Sequence, residues 1–224
     1  KEIVEEAHKF NIPVLLDGAQ SCSHFDIDVQ KLDCEFYVFS AHKLYGPTGI
    51  GALYGKMQLL EEMPPYQGGG EMISAVSFDH TTYNEVPYKF EAGTPNIADV
   101  IAMGAAIDYW NTMDREAATK YEQELLRYCT EKLSVVNGVR IIGTADNKAS
   151  VVSFVLDGIN AMDAGMYLDT KGIAVRTGQH CTEPVMTRFC IPGTIRASFM
   201  FYNTKEEIDF FVEQVEKAIS FLNP

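Results

Sequence analysis

The chain of 224 residues carries a net charge of −13, because its 31 acidic residues outnumber its 18 basic ones. This balance argues against a basic face for binding nucleic-acid phosphates. No apolar run is long enough for a transmembrane helix and no signal peptide is recognisable, so a membrane is not an expected partner. The five cysteines are irregularly spaced without a C-x-x-C pair, which favours reduced thiols in the cytoplasm over disulfides or a metal site.

The first 55 or so residues alternate between predicted helices and strands. In chain order they are the helix KEIVEEAHKF, the strand IPVLLDGA, the short helix VQKLDCE and the strands FYVFSAHK and GIGALYGK. Near-continuous apolar strands between helices predict a parallel or mixed sheet that is covered on both faces. Residues 56–95 are rich in Gly, Pro and Tyr, and PPYQGGGEMI is predicted to be a loop.

The pattern becomes helical from Ala98, first in VIAMGAAIDYWNTM and then in REAATKYEQELLRYCTEKLSVV. After NGVRII come the strand SVVSFVL, the helix NAMDAGMYLDTKG, the strands IAVRTG and TIRASF, and the closing helix KEEIDFFVEQVEKAISFL. The fold class is therefore α/β. The change of composition near residue 95 predicts two α/β units, residues 1–95 and 96–224.

Two charged residues stand where buried strands end: Asp17 in LLDGAQ and Lys43 in FSAHK. Such charges are costly to desolvate unless a partner meets them, and ligands of open α/β sheets bind at the carboxyl ends of strands. A pyridine ring that carries an aldehyde would explain both residues, because a carboxylate keeps the ring nitrogen protonated and a lysine bonds the aldehyde. Gln20 could reach a ring hydroxyl, and Ser40 and His42 could donate to a phosphate.

Cys181 lies in a predicted loop after an apolar strand, in RTGQHCTEPV. Arg176 and His180 are near it in sequence and favour the thiolate, which is the reactive form. Isolated cysteines elsewhere are interpreted as small buried hydrophobic residues; they are Cys22, Cys34, Cys129 and Cys190.

Six motifs together resemble one enzyme family. They are, in order, LLDGAQ, FYVFSAHKLYGPTGIGALYGK, PPYQGGGEMI, KFEAGTPNIA, GIAVRTGQHCTEPVM and TIRASFMFYNTKEEID. The chain resembles, from about Ile3 to Leu222, the pyridoxal-phosphate cysteine desulfurases of the branch that serves SUF iron–sulfur assembly and includes selenocysteine lyases. The resemblance implies part of a fold-type-I large domain in residues 1–95 and a smaller C-terminal domain with the cysteine loop in residues 96–224. Family members are nearly twice as long, so the chain is expected to be their C-terminal half.

The resemblance assigns the cofactor residues one by one. Lys43 is the lysine that forms a Schiff base with pyridoxal phosphate, and Asp17 is the partner of the pyridinium nitrogen. Gln20 lies on the ring hydroxyl, and Ser40 and His42 hold the phosphate.

The resemblance also assigns residues to the substrate and to the dimer. Thr94 reaches the phosphate of the neighbouring subunit's cofactor, which implies a homodimer. Arg196 binds the substrate carboxylate, with Arg176 and His180 on the substrate side. Cys181 takes sulfur from L-cysteine, or selenium from selenocysteine. The products are L-alanine and a persulfide for a SUF-type acceptor protein.

Two departures from the family pattern affect this interpretation. Gln179 stands where family members commonly have the first of two histidines. The ring-stacking histidine, further phosphate-binding backbone and a substrate-side asparagine belong to the N-terminal half, so the fragment alone is not expected to be competent.

Other classes stay open. A thiol hydrolase could use Cys181 with a distant histidine, but it would leave Lys43 idle. Class V aminotransferases and kynureninases share the part of the site that contains the lysine, and they do not need Cys181. A catalytically inactive scaffold is the non-enzyme alternative.

Overall fold

The computed structural model describes residues 1–223, and the chain divides into two compact units, Lys1–Arg115 and Glu116–Pro224. Both contain helices and strands, so the predicted α/β class is confirmed. The predicted boundary at residue 95 falls inside the first unit, and the assignment of large and small domains stays a prediction. Among the described residues, no helix has the length and apolar character to cross a bilayer.

The first unit begins with a three-stranded sheet and two helices. The elements are α1 (Glu2–His8), β1 (Leu15–Asp17), α2 (Val29–Leu32), β2 (Phe36–Ser40) and β3 (Gly51–Gly55). β1 is parallel to β2, which is the central strand, and β3 is antiparallel to it. The predicted mixed sheet is therefore present, and the chain order of its elements is as predicted.

Helices cover one face of this sheet. Tyr37 of β2 is buried against Val4 of α1 and Cys34, and the side chains of α2 join this cluster. On the opposite face, Leu15 and Leu53 are 55% and 51% exposed. Within the described residues, the helical cover is present on the first face, and the predicted cover of the second face stays a prediction.

The buried carboxylate of Glu35 holds the first elements of this unit together. Glu35 is 8% exposed and accepts hydrogen bonds from the Val14 amide (2.7 Å), Lys56 Nζ (2.8 Å) and His8 Nε2 (3.1 Å). Burial alone would raise the pKa of Glu35, but these hydrogen bonds outweigh it and lower the pKa to about 2. The network ties α1 to the beginning of β1 and to the end of β3.

The segment after β3 is more ordered than a loop. It contains α3 (Met57–Glu62), the antiparallel hairpin β4 (Ile73–Val76) and β5 (Thr81–Tyr83), and a 3₁₀ turn at Tyr88–Phe90. The hairpin was not predicted, because its two strands are too short to give a clear strand pattern in the sequence. The predicted glycine loop is present, and its Gly70 carbonyl accepts a 2.9 Å hydrogen bond from the Gly93 amide. α4 (Ile97–Thr112) follows, capped by Asn96.

The second unit is a four-stranded antiparallel sheet with helices on one face. Its elements are α5 (Arg115–Ser134), β6 (Val139–Ile142), β7 (Val151–Leu156), α6 (Ala161–Asp169), β8 (Arg176–Gly178), α7 (Glu183–Phe189), β9 (Thr194–Ser198) and α8 (Lys205–Leu222). The strand order is β6-β7-β9-β8, so β8 is an edge strand.

Alternation along β7 and β9 decides which face is covered. Phe154 and Ile195 point into a core with residues of α5, α6 and α8, and Phe154 meets Phe211 edge to face at 6.1 Å. Thr194 and Arg196 flank Ile195, so their side chains lie on the opposite face. The sheet therefore directs its polar residues away from the helix layer.

Candidate active site

The carboxyl ends of β1 and β2 lie at the same edge of the first sheet. Asp17 ends β1 and is in register with Val38 of β2, and the Gly18 amide donates to the Val38 carbonyl at 2.8 Å. β2 ends at Ser40 and continues directly into a 3₁₀ turn, Ala41–Lys43. The parallel pairing thus brings the predicted acid and lysine to one edge. We call Asp17, Gln20, Ser40, His42 and Lys43 the strand-end cluster.

A tyrosine supports the turn that follows Asp17. A Cβ atom at Gly18 would lie 1.9 Å from the Tyr37 ring, so only glycine fits there without displacing the ring. The Tyr37 hydroxyl also lies 2.8 Å from Ser21 Oγ. The ring therefore fixes the path of the chain on which Asp17 and Gln20 are placed. Sequence reasoning missed Tyr37, which carries no signal beyond that of a core strand residue.

The charged groups of this cluster have few partners. Of the described residues, only Ala19 donates a hydrogen bond to Asp17, at 2.9 Å. Lys43 is half-buried, and no carboxylate in the described part of the chain lies within ion-pair distance of its ammonium. The Cys22 thiol lies 3.6 Å from the Ala19 carbonyl and 3.8 Å from the Lys43 carbonyl, and burial raises its pKa. The acid and the lysine are thus brought to one edge without pairing with each other.

The candidate phosphate groups are arranged locally. Ser40 Oγ lies 2.8 Å from His42 Nδ1, on the turn that carries Lys43. Thr94 is exposed beside Gly93, which bonds to the glycine loop. Within residues 1–223 no hydrogen bond joins Thr94 to the strand-end cluster. The structure therefore brings Ser40 and His42 together, and the roles of all three residues stay predictions.

Two arginines face each other in the second unit. Arg176 of β8 is directly opposite Arg196 of β9, and like charges in such a pair destabilise a sheet. The Arg196 Nε atom is buried and has no hydrogen-bond partner in the described residues. Burial, and then the charge of Arg176, lower the pKa of Arg196. An anionic ligand would relieve both the repulsion and the missing hydrogen bond.

His180 joins this pair of arginines. Its Nε2 lies 2.8 Å from Thr194 Oγ1, while its Nδ1 is buried without a partner among the described residues. Burial lowers the pKa of His180, and the charges of Arg196 and Arg176 lower it further. The structure thus brings together the predicted substrate residues. Sequence reasoning missed Thr194, although the alternation in TIRASF places it on the face of Arg196.

Cys181 is exposed on a tight turn directly after β8. The Thr182 amide donates to the Gln179 carbonyl at 2.9 Å, and the two central residues, His180 and Cys181, have φ angles of 56° and 61°. Positive φ at both central residues is the pattern of a type I′ turn, which is unfavourable for residues other than Gly, Asn and Asp. We call residues 179–182 the cysteine turn. Its strain costs on the order of 1 kcal/mol or more for each of the two residues.

The other cysteines agree only in part with their interpretation as buried residues. Cys34 and Cys129 are buried and Cys22 is half-buried, but Cys190 is exposed, so its prediction was wrong. Cys190 follows the short helix α7 as its C-cap residue and adopts a φ of 54°, and Met186 is the buried residue of that helix. The helix lies on the surface, and its C-cap residue is therefore left in solvent.

The family of the chain follows from its matches. The profile described as Aminotransferase class-V matches residues 1–211, and the chain belongs to this family. The chain is 50% identical, over 97% of its length, to the cysteine desulfurase of Synechococcus elongatus, of which it covers 35%. It is 49% identical to the cysteine desulfurase of Serratia proteamaculans, over 99% of this chain and 55% of that protein.

A solved structure agrees with these relatives. The cysteine desulfurase CsdA from Escherichia coli superposes with a TM-score of 0.93 at 43% identity, over 98% of this chain and 54% of that one. The predicted resemblance and the predicted fold-type-I class are thereby confirmed. The chain spans between about a third and just over half of the length of these proteins.

Proposed function

We propose that the protein containing this chain is a pyridoxal-phosphate-dependent cysteine desulfurase, which converts L-cysteine to L-alanine and leaves a persulfide on Cys181. The observation that carries the proposal is the exposed Cys181 thiol on a strained turn, next in sequence to His180, whose pKa burial lowers and the charge of Arg196 lowers further. A nucleophilic sulfur beside a site for a carboxylate suits an amino-acid substrate whose own sulfur is the target. The cysteine desulfurases named above, which are 50% and 49% identical to this chain, support the same conclusion.

The strand-end cluster fits the cofactor. Asp17 and Lys43 are a carboxylate and an amine at one edge of the sheet, and no ion pair in the described residues neutralises either. Asp17 would hold the ring nitrogen and Gln20 the ring hydroxyl, while Ser40 and His42 would donate to the phosphate. Pyridoxal phosphate, when bound, supplies an electron-withdrawing ring that takes up the negative charge developing at the substrate Cα.

The residues of this chain then have distinct tasks. Arg196 holds the substrate carboxylate with two parallel hydrogen bonds, which the fork of a guanidinium allows. Lys43 takes the proton from the substrate Cα and serves as the proton donor to carbon. The Cys181 thiolate attacks the substrate sulfur, so that one S–S bond forms as the Cβ–S bond breaks. Cysteine and one thiol thus become alanine and one persulfide, and no outside oxidant or reductant is required.

The assembly and the cellular setting are part of the proposal. The exposed Thr94 would meet the partner subunit's cofactor in a homodimer. The exposed Cys181 would hand its sulfur to a SUF-type acceptor for iron–sulfur cluster assembly. All five cysteines are free, which supports a reducing compartment, the cytoplasm. Selenocysteine, which differs from cysteine by one atom, is a second substrate that the same residues would bind.

The proposal is tested with the full-length protein loaded with pyridoxal phosphate. Incubation with L-cysteine and a reductant should release alanine and sulfide in equal amounts. The Cys181→Ser variant should retain the cofactor's absorption and lose the sulfide. A keto acid without alanine would instead identify an aminotransferase, and turnover of a thioester or amide with no need of the cofactor would identify a thiol hydrolase. Parallel assays with selenocysteine rank the two substrates.

A further inference from the structure

The cysteine turn needs an anchor, because its own residues disfavour its shape. The backbone is in the left-handed region at His180 and Cys181, and Gly178 just before them has a φ of 108°. Within the turn, Thr182 Oγ1 donates to the Gln179 carbonyl at 2.7 Å. This bond closes the turn but does not connect it to the sheet. A turn of this kind persists only when its surroundings hold it.

The surroundings of the turn lie at the start of β9. Thr194 is directly opposite Gly178 in the β8–β9 ladder. A Cβ atom at Gly193, just before β9, would lie 3.0 Å from the backbone of Gly178, so a side chain there would crowd the end of β8. The turn therefore leaves the sheet at a point of close backbone contact, next to the Thr194 side chain.

Thr194 provides a side-chain hydrogen bond between this strand and the turn. It is 1% exposed, and its hydroxyl lies 2.8 Å from His180 Nε2. The bond fixes the ring of the residue that precedes Cys181, and it spans 14 positions of sequence. Its loss would leave both ring nitrogens of the half-buried His180 unpartnered, because the buried Nδ1 already has no partner among the described residues.

We propose that Thr194 is a positioning residue: its buried hydroxyl anchors His180 and thereby holds the cysteine turn in the strained form that presents the Cys181 thiol. The inference rests on the proposed function, since it concerns the thiol that would receive the sulfur. In the described residues no hydrogen bond joins Thr194 to Cys181, so the Thr194 hydroxyl acts on the thiol through His180. Arg196, two residues further on, is not part of this anchor.

The test compares two substitutions of Thr194 in the full-length protein loaded with pyridoxal phosphate. Thr194→Val keeps the shape of the side chain and removes the hydroxyl, whereas Thr194→Ser keeps the hydroxyl and removes the methyl group. Two quantities are measured: kcat and KM for alanine formation from cysteine, and the rate of iodoacetamide labelling of Cys181 relative to Cys190. Cys190 is an exposed thiol of the same molecule and serves as an internal control.

For Thr194→Val, kcat should fall by about tenfold or more while KM changes by less than about threefold, because a misplaced nucleophile costs rate and the carboxylate site is intact. The labelling ratio of Cys181 to Cys190 should fall by about twofold or more, since a released turn no longer presents the thiol. Thr194→Ser should restore both quantities to within about twofold of the unmodified protein, because it keeps the hydrogen bond.

Three results would overturn the inference. They are unchanged kcat and labelling in Thr194→Val, equal effects of the two substitutions, and a rise in KM that matches the loss of kcat/KM. Cofactor absorption and circular dichroism show whether each variant is folded. If the unmodified protein forms no alanine from cysteine, the proposed function fails, while the labelling ratio of the two variants still tests Thr194.

Discussion

The strand-end cluster and the cysteine turn present reactive side chains by different means. In the first unit, Asp17 and Lys43 stand where regular elements end, and a tyrosine ring fixes the turn that follows Asp17. In the second unit, Cys181 stands on a strained turn that is held by a hydrogen bond to the neighbouring strand. A group that stays with a cofactor benefits from a rigid strand end, whereas a thiol that delivers sulfur to another protein must be exposed.

Replacement of Lys43 should have the largest effect. Lys43→Ala in the full-length protein should lower alanine formation by at least about a thousandfold, because it removes both the cofactor's covalent partner and the proton carrier. The fold should persist, since Lys43 is half-buried at the surface of the sheet. Lys31→Ala, which changes an exposed lysine of α2, is the matched control and should be neutral. Borohydride reduction that fixes the cofactor on a lysine other than Lys43 would refute the assignment.

Separate replacement of the two exposed cysteines, Cys181 and Cys190, should show which thiol accepts the sulfur. Cys181→Ser should reduce alanine formation to below about one-hundredth, because a hydroxyl cannot form the S–S bond. Cys190→Ser should stay within about twofold of the unmodified enzyme, since exposure without a substrate site does not create reactivity. Equal losses in both variants, measured as initial rates, would contradict the assignment of Cys181 as the one acceptor thiol.

Replacement of the two arginines should raise the KM for cysteine by different amounts, in proportion to the burial of each side chain. Arg196→Gln should raise the KM for cysteine by roughly tenfold to a hundredfold, because a half-buried guanidinium makes charged hydrogen bonds that solvent cannot replace. Arg176→Gln changes an exposed side chain and should alter KM by less than about threefold. Steady-state kinetics decide between them, and a larger effect of Arg176 would reverse our assignment of the carboxylate site.

The smallest effect should be on stability, and only in the first unit. The folded-state pKa of Glu35 is about 2, below its usual 4.5, so its stabilisation is complete above pH 4.5 and is lost as the pH falls toward 2. This linkage is worth on the order of 3 kcal/mol. Glu35→Gln should therefore flatten the loss of thermal stability over this pH range. Asp33→Asn, which removes an exposed partner of the same lysine, should flatten it far less, because solvent screens the interaction by which Lys56 lowers the pKa of Asp33.

The sequence predicted one cluster better than the other, for a physical reason. Asp17 and Lys43 follow apolar runs directly, so strand pairing alone decides where they meet. The anchor of Cys181 depends on Thr194 being opposite Gly178, and a register between distant strands leaves no local signal. The exposure of Cys190 was missed because a short apolar pattern does not distinguish a buried helix from one lying on the surface. The β4–β5 hairpin was missed for a similar lack of strand signal.

Mapping the persulfide tests the central claim most directly. The full-length protein with pyridoxal phosphate is given less than one equivalent of L-cysteine, alkylated at once and digested, and each cysteine-containing peptide is examined by mass spectrometry for one added sulfur atom. The account predicts the added sulfur on the peptide of Cys181, in an amount equal to the alanine formed, and none on that of Cys190. Sulfur on Cys190, or alanine formed with no sulfur on Cys181, would contradict it.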